Sequence, residues 1–118
     1  MKHVIALLCA AVIAVAQAAG LNPEERQKID YLIASIEKLP NAEFIRNGTT
    51  YDASAAGDHL RLKLKQAQSR IKTAEDFIRY CASTSSVSGE PYKIRFSDGR
   101  VVTSEAFLRE KLAEVRRP

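Results

Sequence analysis

Six residues carry most of this chain's capacity for chemistry: Arg46, Asn47, His59, Ser85, Ser86 and Tyr92. Ser83 to Gly89 reads Ser-Thr-Ser-Ser-Val-Ser-Gly and runs through Glu90 into the rigid Pro91, just before Tyr92. Hydroxyls and free backbone N–H groups in such a loop can hold a carbohydrate, a peptide end or an anion. The same groups can instead cap the loop internally and satisfy the end of the preceding helix. Arg46, Asn47, His59 and Tyr92 are the polar side chains that would complete a ligand-binding face beside the serines. A second chemistry is acid–base work by His59 on a serine hydroxyl, which requires an Oγ within hydrogen-bond reach of the imidazole.

The other reactive-looking residues have simpler readings. Asp58-His59 supplies no cluster of three or four ligands, so no metal site and no metal cofactor is expected. Cys81 sits at the end of its helix on a face with Phe77, Ile78 and Ala82. A nucleophilic thiol would want a helix N-terminus or a cation, and this position reads as a small core residue. Ser69-Arg70-Ile71-Lys72 spells the Ser-x-x-Lys of penicillin-binding enzymes, but here it closes a helix in a chain far too short for that fold. Asn47-Gly48-Thr49 is formally a glycosylation sequon, and a tight turn accounts for it fully. Arg61, Lys63, Lys65, Arg70 and Lys72 make one helix basic, but Lys63 and Lys65 lie about 200° apart, so they form no single stripe.

These side chains need elements to position them. Asn22-Pro23-Glu24-Glu25 starts a helix, with Asn22 as cap, proline in the first turn and acids at the positive end of the dipole. Ile29, Leu32, Ile33, Ile36 and Leu39 then share one face until Pro40-Asn41. Glu43 to Tyr51 predicts a β-hairpin around Asn47-Gly48. Asp52 caps a long helix with a stripe of Ala53, Ala56, Leu60, Leu64, Ala67 and Ile71. Its alanines and Gly57 suggest a close neighbour. Thr73 caps a third helix whose apolar face is Ala74, Phe77, Ile78, Cys81 and Ala82. Tyr92 to Phe96 alternates like a strand, Asp98-Gly99 turns, and Arg100-Val101-Val102 returns. Thr103 or Ser104 caps a last helix with Leu108, Leu112 and Val115 on its stripe. Hairpin, cap and helix thus occur twice, a parallel explained by common local designs.

The expected fold class is α+β: four helices and two hairpins, the hairpins joined in one small antiparallel sheet with helices on one face, since an isolated hairpin is marginal.

The first eighteen residues read as a cleavable signal peptide. Lys2 gives the positive start, Val4 to Val15 the apolar run, and Ala16-Gln17-Ala18 the small residues of a cleavage site. Leu7 and Leu8 stand where a lipoprotein signal would place small residues before Cys9. The run of about twelve residues is too short for a transmembrane anchor, which needs ~20. Cleavage after Ala18 leaves a single domain, 19–118, enough for one compact core. Of the 18 basic side chains only Lys2 leaves, so 17 face 14 acidic ones, a net +3. That mild, mixed balance is no footprint for nucleic acid. Cys81 is left alone in an oxidising compartment, which excludes an intramolecular disulfide.

Four blocks together carry a resemblance: Phe44-Ile45-Arg46-Asn47-Gly48; His59-Leu60-Arg61-Leu62-Lys63-Leu64; Arg70-Ile71-Lys72-Thr73-Ala74-Glu75 with Phe77-Ile78; and the Ser83, Ser85, Ser86, Gly89, Pro91, Tyr92 pattern. In this order and spacing the chain resembles the YfeK-like family, small exported proteins of Gram-negative bacteria without a known function. The resemblance implies a periplasmic protein, supplies no activity, and has an ordinary apolar residue where Cys81 falls. The resulting expectation is a periplasmic, non-enzymatic binding or interaction module for an envelope component, with no cofactor. The alternative is a small hydrolase-like envelope-modifying enzyme using His59 and a serine.

Overall fold

A computed structural model describes residues 21–116; the expected signal peptide lies outside the described residues. Helix α1 (Pro23–Glu37) begins as its cap predicts, with Asn22 Oδ1 accepting from the Glu24 N–H at 2.8 Å. It buries Ile29, Leu32, Ile33 and Ile36. Strands β1 (Glu43–Arg46) and β2 (Thr49–Tyr51) turn through Asn47 and Gly48, both at positive φ (53° and 77°), as a two-residue type I′ turn requires. Helix α2 (Ala53–Gln66) is capped by Asp52, whose carboxylate accepts from Ala55 N–H. A short 3₁₀ turn, Gln68–Arg70, leads to α3 (Ala74–Cys81), where Thr73 and Asp76 form a reciprocal capping box. Strands β3 (Lys93–Arg95) and β4 (Val101–Thr103) form the second hairpin, and α4 (Ser104–Arg116) follows at once.

The hairpins join through β1 and β3 into a single antiparallel sheet of order β2-β1-β3-β4. The register aligns Tyr51, Phe44, Ile94 and Val102 in one cross-strand row. Phe44 and Ile94 are buried in the same core as Leu32, Leu60, Phe77 and Leu108 from the helices, with Tyr51 and Val102 packed against it. The opposite face carries Glu43 and Arg95, cross-strand partners whose side chains pair at 2.8 Å. One apolar face against helices and one charged face outward is the alternation an antiparallel sheet uses to bury one side. The α+β expectation, four helices with one antiparallel sheet, is what the molecule shows.

Side chains also tie the helices together. Glu25 of α1 accepts from the Ala74 N–H at the start of α3 at 2.8 Å, an N-terminal cap supplied from another helix. Glu75 of α3 meets Arg109 and Arg116 of α4 at 2.7 and 3.2 Å. Gly57 marks the close approach its position suggested: a Cβ there would collide with the Glu37 side chain. Glu37 instead lies over the glycine and makes a bidentate pair with Arg61, at 2.6 and 2.9 Å.

Three boundaries differ from expectation, the first being the strand expected over Tyr92 to Phe96, which is the shorter Lys93–Arg95. Ile71 is a core residue, but α2 ends at Gln66, so Ile71 reaches the core from the connection after the 3₁₀ turn rather than from the helical stripe. The return strand is Val101–Thr103, one residue later than expected. Arg100 is held in the turn, where its carbonyl accepts from Phe96 N–H and its N–H donates to Asp98 Oδ1.

Candidate functional site

The β1–β3 register sets Ile45 opposite Lys93, and one step further sets Arg46 beside Tyr92. The Ser104 N–H donates to the Tyr92 carbonyl at 2.9 Å, so Ser104 stands on the other side of Tyr92 where β4 becomes α4. Side chains alternate along a strand, so Arg46 and Tyr92 share the inner face with Phe44 and Ile94. His59 reaches this end of the sheet from α2. Its Nε2 lies 3.4 Å from the Tyr92 hydroxyl, and the two rings meet edge to face with centroids 5.8 Å apart.

Between α2 and the sheet these residues border a cavity of about 160 Å³. Its deep wall is apolar and buried: Ile36, Phe44, Leu60, Ala82 and Leu108. Its outer lining is the half-buried Arg46, Tyr51 and His59 with the exposed Ala55 and Lys93, while Tyr92 and Ser104 lie between the two zones. Arg46 donates to the Tyr51 hydroxyl at 3.0 Å and stacks 5.2 Å from that ring's centre. Among the described residues no carboxylate pairs with Arg46, whereas Arg95, also half-buried, is paired with Glu43.

Burial, followed by the nearby charges of Arg46 and Lys63, pushes the His59 imidazole below its ordinary pKa, favouring the neutral ring. Burial likewise raises the Tyr92 phenol, which stays protonated and available as a donor. The arrangement can therefore seat an apolar body and present one fixed cation and several hydroxyl or imidazole groups to its polar end. In the described hydrogen bonds the side-chain partner of His59 is the Tyr92 phenol; none joins it to a serine.

The serine loop is built differently. Ser83 Oγ donates to the Ile78 carbonyl at 2.7 Å, satisfying the end of α3. The buried Ser85 Oγ accepts from the N–H groups of Val87 and Ser88. The backbone of Ser85 donates to Glu90 and accepts from Gly89. Ser88 Oγ accepts from the Glu90 N–H and donates to Asn47 Oδ1, tying the loop to the β1–β2 turn. Ser86 Oγ accepts from Lys63 Nζ at 3.3 Å. The structure thus brings Arg46, His59 and Tyr92 together at one cavity. Asn47, Ser85 and Ser86 sit in the adjoining loop and turn and do not line it. The loop fixes Tyr92 directly, through the Tyr92 N–H donating to the Ser83 carbonyl at 3.0 Å.

Tyr51, Lys93 and Ser104 line the cavity without having been singled out in the sequence. Tyr51 had a signal: a two-residue turn at Asn47-Gly48 pairs Arg46 with Thr49 and so places Tyr51 across from Phe44. Ser104 had none, because the longer second turn leaves its register open. Cys81 is fully buried and its thiol is pushed up by desolvation, in keeping with a core role. Among the described residues no group of three or more His, Cys, Asp or Glu could hold a metal ion. No described helix is long and apolar enough to cross a membrane.

Comparison with known proteins adds kinship without an activity. The chain is 35% identical over 92 residues to the uncharacterized protein YfeK of Salmonella typhimurium (strain LT2), covering 78% of this chain and 77% of that protein. No solved structure matches it. Residues 23–116 match the model of a family of unknown function, DUF5329. That match spans every helix and strand described above, and with the YfeK likeness it means that the chain belongs to the DUF5329 family.

Proposed function

We propose that this protein is an exported, periplasmic, non-enzymatic binding module for an envelope component, and that it binds its ligand in the cavity between α2 and the sheet. The observation that carries this reading is the contrast within the cavity: apolar, buried walls beneath an outer lining of Arg46, His59 and Tyr92. Such a mix of apolar surface with a few convergent polar groups is the usual make-up of a small-molecule site. The pairing of His59 with a phenol rather than with a serine hydroxyl supports binding over hydrolysis. The internally satisfied serine loop supports a scaffold role for Ser85, in a loop whose Ser83 carbonyl holds the Tyr92 N–H. The leader sequence supports export, and the envelope is then where a ligand is met.

The test separates cavity from loop. The protein is incubated with envelope extract, re-isolated, and its bound small molecules are identified by mass spectrometry. Ala56→Leu places a larger side chain in the cavity; it is expected to abolish retention while the melting temperature holds or rises. Ser85→Ala with Ser86→Ala is expected to lower the melting temperature by several degrees, since Ser85 is buried and twice bonded, yet to keep the ligand. Retention by Ala56→Leu, or its loss only in a fully folded loop variant, would move the site out of the cavity.

A further inference from the structure

Arg46 is the most informative cation in the molecule. Of the described half-buried arginines, Arg95 has its carboxylate and Arg46 has only a phenol oxygen and a ring face. A guanidinium carries five N–H donors in a planar fork suited to bidentate carboxylates, and the described hydrogen bonds commit one of them. Around it the cavity lining holds His59 and the hydroxyls of Tyr92 and Ser104, and it includes no Asp or Glu; Lys93 borders it from a strand position whose side chain alternates to the outer face. The polar end is therefore complementary to negative charge. The two helix starts at the cavity offer no competing anion site, because Asp52 caps α2 and Thr103 Oγ1 accepts from the Ala106 N–H at the start of α4.

The apolar part sets the size. A cavity of about 160 Å³ compares with an engineered apolar cavity of about 150 Å³ that holds one benzene molecule. One phenyl ring or a chain of about six carbons fills it. A single arginine fork with neighbouring neutral donors suits one negative charge, whereas a phosphate dianion usually draws on several backbone N–H groups or more than one cation.

We infer that the cavity binds a small apolar monocarboxylate, its carboxylate held by Arg46 beside Tyr92 and His59 and its ring or short chain against Phe44, Leu60 and Leu108. This rests on the reading of the cavity as the binding site and names the ligand class. The carboxylate displaces the Tyr51 hydroxyl from Arg46 or shares the fork with it; either way the cation gains the partner it lacks.

The probes are hexanoate, hexan-1-ol and acetate, titrated into the isotopically labelled protein and followed by amide chemical shifts. Hexanoate is expected to bind at least about ten-fold tighter than either of the others, with shifts centred on residues 46, 59 and 92. Arg46→Gln is expected to bring hexanoate within about two-fold of hexanol and to leave hexanol binding unchanged. If that variant does not fold, raising NaCl from about 50 to about 500 mM on the unmodified protein takes its place: affinity should fall for hexanoate and hold for hexanol. Equal binding of hexanoate and hexanol overturns carboxylate recognition and leaves the cavity as a binding site. Failure of all three probes to perturb the cavity overturns the inference, and with the cavity-filling variant retaining ligand it overturns the site itself. Hexanoate binding that ignores both Arg46→Gln and salt also overturns the inference.

Discussion

At the scale of single residues, His59 and Ser85 show why types alone misdirect. Both are polar and sit in motifs that resemble a site, yet Ser85 is buried and bonded to its own loop while His59 faces a cavity. A serine can find N–H donors two and three residues ahead in its own turn, so its hydroxyl is satisfied before any ligand arrives. A histidine in mid-helix has no such local partner and depends on what the fold brings, here Tyr92. The chemistry of Arg46, His59 and Tyr92 was legible in the sequence; their meeting was not, because it rests on a β1–β3 register with no local signal. His59 also makes stability pH-dependent. It faces Arg46 from β1, Tyr92 ahead of β3 and Lys63 on its own helix, and its folded pKa lies below the ordinary 6.5. Where the folded pKa is lowered, the unfolded chain binds more protons, so stability rises with pH and is lost as pH falls below 6.5. Glu25, Glu37 and Glu75, all lowered from 4.5, lose their contribution only at more acid pH. Urea midpoints taken from pH 7.5 to 5 should therefore fall for the unmodified protein and stay flatter for His59→Gln. Parallel pH profiles for the two proteins would refute the assignment.

At the scale of elements, the helix starts were the clearest signals. Asn22, Asp52 and Thr73 each cap where their types and neighbours indicated, because a cap is a contact between residues two or three apart. The end of α2 was less legible: the apolar spacing runs on to Ile71, and the change to a 3₁₀ turn lets Ile71 fill the core from a different backbone. Gly57 tests how elements meet. Alanine there should gain about 1 kcal/mol of helix propensity. It also displaces Glu37 and breaks the Glu37–Arg61 pair, a largely exposed interaction worth up to about 1 kcal/mol. Gly57→Ala alone is thus expected to change stability by less than about 0.5 kcal/mol. In a Glu37→Ala background the same substitution should stabilise by about 1 kcal/mol, since nothing is left to displace. A urea double-mutant cycle measures the difference, and equal effects in both backgrounds would show that Glu37 does not set the requirement for glycine.

At the scale of the whole molecule, two hairpin–helix units lie side by side, joined by antiparallel β1 and β3 and closed by α1 and α3. Each unit is locally coded, and their union is not, since it buries one face of four short strands at once. That union gives the cavity its position and gives Cys81 complete burial. The proposed export has a consequence that can be measured. The proposed leader carries Cys9, and its removal would leave Cys81 as the single thiol, one that desolvation holds in its unreactive protonated form. Expressed as the full chain in a Gram-negative host, the protein is expected in the periplasmic fraction with the intact mass of residues 19–118. It should be free of disulfides, and reductant should leave its melting temperature unchanged. A thiol reagent should label it once, and only after unfolding, because the buried sulfur opens to solvent with the core. The full 118-residue mass in the cytoplasm would refute the signal peptide. A disulfide-linked dimer, or rapid labelling of the native protein, would refute the sealed core around Cys81.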